Sequence, residues 1–61
     1  MRLFLKPADG GKTRPISGPG DLAGRSGLLL IEGQPTPVEA SRWAVSLGLF
    51  VGRGGEVRRL A

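Results

Sequence analysis

The chain has no cysteine, no histidine and no tyrosine among its 61 residues. Without cysteine there is no disulfide to staple a small fold and no thiolate nucleophile. Without cysteine or histidine the usual zinc ligand sets are absent, so no metal or other cofactor is expected. Nucleophilic catalysis has only serine and threonine, with lysine as the one side chain able to activate them. The five carboxylates, Asp9, Asp21, Glu32, Glu39 and Glu56, are spread along the chain and form no acid–base pair in sequence. A non-enzymatic role is the expectation. No apolar run approaches the ~20 residues of a membrane-spanning helix. The opening "MRLFLKP" breaks its apolar run too early for a signal-peptide core. The expectation is one small domain over residues 1–61, with no linker, no targeting segment and no membrane partner. The missing cysteine fits a cytoplasmic setting.

What is present is glycine, proline and positive charge. Eleven glycines and five prolines favour short strands joined by turns. Nine lysine and arginine residues against five acids give a net charge of +4. That balance suits an anionic partner, nucleic acid first. A chain of this length buries only about 60% of its unfolded surface. Stability of roughly 3–5 kcal/mol follows. Either the packing suffices or a partner completes it.

The stretch "DGGKTRP" invites a phosphate-loop reading. It lacks the upstream glycine of that motif, whose place is held by Lys6. Pro15 also discourages a helix starting from Lys12. No nucleotide is expected here, and the Asp9-Gly10-Gly11 run reads as a turn. "RLFLK" (Arg2 to Lys6), "LLLIE" (Leu28 to Glu32), Leu49 to Val51 and Glu56 to Leu60 read as strands. Glycines flank the continuous apolar run "LLLIE", which has the pattern of a strand buried on both faces. "GRGG" at Gly52 to Gly55 reads as a bulge or hairpin turn. Phe4, Trp43 and Phe50 are the only aromatics, and in so small a domain they belong to the core.

"TPVEASRWAVSLG" carries two readings. Thr36 as N-cap, Pro37 at the first helical position, Glu39 completing a capping box and Gly48 as terminator spell a helix. In that helix Val38, Val45 and Leu49 lie near one face. Read as a strand, the same stretch points Trp43 and Val45 inward and Arg42, Ala44 and Ser46 outward.

"FLKPADGGKTRPISG" resembles the start of the C-terminal β-barrel domain of elongation factor Tu, with Gly10, Gly11, Lys12, Pro15 and Ile16 at matching places. "PGD" at Pro19 to Asp21 is similar to the Pro-Gly-Asp that precedes a central strand in that family. "RWAVSLGLFVGRGGEVRRL" resembles its final hairpin through Arg42, Trp43, Ala44, Val45, Gly48, Val51, Gly52, Gly54, Val57 and Leu60. The family's aromatic-Arg-Pro-Gln segment has no counterpart here. The resemblance implies an all-β fold, a small, partly open β-barrel of short antiparallel strands, with 37–47 as strand and a bulge near Gly54-Gly55. The alternative is α+β with one helix near 37–47. The resemblance also implies a binding module that contacts structured, tRNA-like RNA. Lys12, Thr13 and Gly48 match the RNA-facing turns. Arg14, Arg42, Arg53, Arg58 and Arg59 supply further phosphate contacts. The alternative partner is another protein, including a second copy joined through open strand edges.

Overall fold

A computed structural model describes residues 1–60. Strand β1 (Arg2–Pro7) is followed by a short strand β2 (Arg14–Ile16) and one turn of 3-10 helix (Pro19–Leu22). Strand β3 (Gly27–Glu32), helix α1 (Pro37–Gly52) and strand β4 (Glu56–Leu60) complete the order. The four strands form one sheet in the order β2-β1-β3-β4. β1 is antiparallel to both β2 and β3, while β3 and β4 run parallel. A parallel neighbour requires a crossover, and α1 provides it.

The sheet is mixed, carries a helix and does not close into a barrel. This corrects the all-β barrel expectation, and the fold follows the α+β alternative. The segment 37–47 is helix rather than strand, and the helix runs on to Gly52. The Arg42–Val45 strand of the expected hairpin is therefore absent, and so is a strand over Leu49 to Val51. Local chemistry prevails here. The Thr36 hydroxyl accepts from the Glu39 backbone N–H at 3.2 Å, and the Glu39 carboxylate accepts from the Thr36 N–H at 3.0 Å. This reciprocal cap satisfies two donors that a helix start otherwise leaves open. Gly48 does not stop the helix, because it stays out of the left-handed region that ends helices. Gly54, with φ of 84°, makes that turn instead, so no strand bulge forms at Gly54-Gly55.

One face of α1 buries Trp43 and Phe50, with Leu47 packed beside them. They rest on Leu3 and Leu5 of β1, Ile16 of β2, and Leu29 and Ile31 of β3. Leu22 of the 3-10 turn closes one side. These side chains alternate along each strand, so every inward residue on β1 and β3 belongs to one face. Val38, Val45 and Leu49 do share a helix face, and it is the solvent face, 60% to 77% exposed.

Close backbone approach decides two glycines. Gly27 sits at φ 144° opposite Pro7, and a Cβ there would strike the Lys6 carbonyl oxygen. A Cβ on Gly55 would strike the Phe50 ring.

Candidate binding surface

The helix covers one side of the sheet, and no segment among the described residues covers the other. The register arranges the bare side in three rows. Pro15, Phe4, Leu30 and Arg58 form the middle row across β2, β1, β3 and β4. Arg2, Glu32 and Leu60 form one outer row. Lys6, Leu28 and Glu56 form the other. Phe4, Leu28, Leu30 and Leu60 are only half-buried, whereas Leu3, Leu5, Leu29 and Ile31 on the helix side are buried. Charges ring this apolar centre: Arg2 and Lys6 on β1, Glu32 on β3, Glu56 and Arg58 on β4. A hollow of about 480 Å³ opens at one end of the face, lined in part by Lys6, Leu28, Arg53 and Glu56. A second, of about 340 Å³, lies between Phe4 and Pro15 beside Arg2.

The residues expected to contact RNA do not gather in one place. Lys12 and Thr13 lie in the exposed β1–β2 connection, and Arg14 begins β2 at one sheet edge. Arg58 and Arg59 lie on β4 at the opposite edge, on opposite faces of that strand. Arg42 is on α1, with its guanidinium against Gly18 just past β2. Arg53 caps the C-terminus of α1. Gly48 is inside the helix, which corrects its placement in an RNA-facing turn. Phe4 is the aromatic that the core reading misplaced. Trp43 and Phe50 are buried, but Phe4 sits at the centre of the bare face. The period-2 pattern of "RLFLK" contains this signal, because Leu3 and Leu5 share one face and Phe4 takes the other.

Three of the five carboxylates are engaged by nearby backbone. Asp9 accepts from the Gly11 N–H at 2.8 Å and closes the "DGG" turn. Asp21 accepts from the Ser17 N–H at 2.9 Å, the Ser17 hydroxyl at 3.2 Å and the Gly18 N–H at 3.4 Å. These bonds, Ser17's backbone first, hold its pKa below the ordinary 3.8, and Arg25 adds to the effect. The Thr36 N–H holds Glu39 below its ordinary 4.5, opposed by partial desolvation and aided by the Met1 ammonium 3.6 Å away. Among the described residues no acidic cluster forms that could hold a metal ion. No helix of the described residues is long and apolar enough to cross a membrane.

No family model, no curated protein and no solved structure matches this chain.

Proposed function

We propose that this chain is a non-enzymatic binding module whose working surface is the uncovered side of the sheet. One observation carries the reading. β3 has the composition of a strand buried on both faces, yet Leu28 and Leu30 are only partly buried, on the side of the sheet that no helix among the described residues covers. Phe4 adjoins Leu30 in register, so the apolar area is continuous from β1 to β3, with Leu60 diagonal to it on β4 beside Arg58 and Glu32. A continuous apolar area rimmed by charge is the ordinary form of a docking surface. The engaged carboxylates fit the same reading, since Asp9, Asp21 and Glu39 hold turns and caps rather than facing a shared pocket.

The test is methyl and ring NMR of Phe4, Leu28, Leu30 and Leu60 as concentration is raised and as total tRNA is added. Selective shifts at these four residues in at least one titration are expected. Shifts absent from both titrations would overturn the reading.

A second reading, contact with structured RNA, is favoured by the charge. Among the described residues the N-terminal ammonium pairs with Glu39, and no lysine or arginine side chain forms an ion pair. Lys12, Thr13, Arg14 and Arg42 would form one contact region on the β2 side, with Arg53 and one of Arg58 and Arg59, which face opposite ways from β4, in a second. Each phosphate contact steepens the log–log salt dependence by about one unit. tRNA affinity that is unchanged between low and moderate salt would reject it.

A further inference from the structure

We infer that the occupant of the bare sheet face is a second copy of this chain, docked face to face about a two-fold axis parallel to the strands. The inference rests on the binding-module reading and names its partner. Charge placement argues for it. An axis parallel to the strands and between β1 and β3 lays β1 of each copy over β3 of the other while keeping the rows in step. Arg2 then meets the other copy's Glu32, and Glu32 meets the other copy's Arg2. Phe4 lies over the other copy's Leu30, and the stem of Lys6 over Leu28. A two-fold axis across the strands would stack β1 on β1 and set Arg2 against Lys6. That like-charge contact disfavours it. The bare face is therefore self-complementary in one orientation and self-repelling in the other.

The same charges argue against nucleic acid on this face. Glu32 and Glu56 share it with Arg2, Lys6 and Arg58, so any strand crossing it meets two carboxylates. Phe4 is its only aromatic and is half-buried, which makes a poor stacking platform.

The pairing produces two sheets packed at the usual ~30° with a helix on each outer side. Both faces of β3 are then covered, the condition that a strand of this apolar composition ordinarily meets. The face measures roughly 20 Å along the strands and 15–19 Å across them. The two faces together bury on the order of 700 Å² in projection, below the ~1,200 Å² of standard interfaces. The dimer is therefore weak and reversible, with dissociation between about 100 micromolar and millimolar concentration.

The experiment is sedimentation equilibrium of the full chain from low micromolar to millimolar concentration, with three sets of variants. Wild type is expected to pass from one chain mass towards two, and Leu30→Lys to stay at one. Arg2→Glu alone and Glu32→Arg alone should each dimerise at least ~10-fold more weakly. An equimolar mixture of R2E and E32R should recover the dimer, because each copy then offers the charge the other requires. Within each chain, residues 2 and 32 carry like charges in both variants, before and after mixing. Only contact between copies can therefore produce the rescue, even if both variants are somewhat less stable. Val45→Lys, on the solvent face of α1, should leave the dimer unchanged.

A wild type that stays monomeric throughout overturns the proposal, as does a dimer abolished by Val45→Lys but not by Leu30→Lys. A dimer without rescue in the mixture overturns this orientation. If the chain is monomeric while tRNA shifts Phe4 and Leu30, the proposal fails and the binding module stands. If neither concentration nor tRNA touches those residues, both fail.

Discussion

Phe50 lies directly on Gly55. The Gly55 N–H donates to the Phe50 carbonyl at 3.0 Å, and the space for a Cβ on Gly55 is filled by the Phe50 ring. Phe50 is 1% exposed, so its ring has no room to retreat. This contact sets the exit from α1 into β4 and thereby fixes the edge strand beside β3. Gly55→Ala should destabilise the fold by about 1–3 kcal/mol, the usual penalty for forcing an extra carbon into a packed site. Chemical denaturation measures it as a lower midpoint with an unchanged slope. An alanine variant as stable as wild type would show that Phe50 is not fixed in this position.

Gly48 is the opposite case. It lies within α1, its backbone is not left-handed, and a Cβ there would meet nothing within 4 Å. Glycine in a helix interior costs about 1 kcal/mol relative to alanine, because its unfolded state is freer. Gly48→Ala should therefore stabilise the chain by about 1 kcal/mol. Thermal melting checks it. The pair of glycine-to-alanine changes is informative because the two should move stability in opposite directions.

Much of this architecture can be read from local sequence. β1, β3 and β4 lie within a residue or so of the runs "RLFLK", "LLLIE" and "EVRRL". The helix start was written in Thr36, Pro37 and Glu39, and the cap that forms is the one those residues spell. The strand reading of 37–47 came from resemblance in spacing, which says nothing about backbone hydrogen bonds. β2 escaped notice because it is three residues long, contains Pro15 and exists only through its pairing with β1. The helix end was placed early because a glycine terminates a helix only when it turns left-handed, and sequence does not say which of Gly48, Gly52 and Gly54 will do so. The bare face was half legible. "LLLIE" signalled two covered faces, but only the topology shows that α1 supplies one cover for four strands.

Trp43 and Val45 separate the helix from the strand by substitution alone. A strand would bury both, whereas the helix buries Trp43 at 6% exposure and leaves Val45 at 72%. Trp43→Ala should cost about 3–5 kcal/mol, enough to unfold most of a domain with so small a core. Val45→Gln should change stability by less than about 0.5 kcal/mol. Far-ultraviolet circular dichroism with a denaturant titration reads both. Comparable losses at the two positions would contradict the placement of α1.

The acid limb of stability should trace to Asp21 and Glu39. Each has a folded pKa below its ordinary value, 3.8 for Asp21 and 4.5 for Glu39, because backbone N–H groups favour the charged form. Protons therefore bind the unfolded chain more readily than the folded one. The stabilisation is complete above the ordinary values and is lost as pH falls through the lower folded ones. The melting temperature should stay level on acidification from neutrality until it nears those ordinary values, then decline. Both carboxylates are solvent-accessible, so salt should weaken the effect of the charges beside them, Arg25 and the Met1 ammonium, more than that of the short backbone contacts. Replacing Asp21 with Asn and Glu39 with Gln should lower stability near neutrality and flatten the acid limb, because the groups that titrate there are gone. Thr36→Ala should cost about 1 kcal/mol near neutral pH through loss of the helix cap. It should leave the Asp21 part of the acid limb in place, since that carboxylate is held by Ser17 and Gly18 in another loop. An acid limb of undiminished steepness in the double variant would show that Asp21 and Glu39 are not its source.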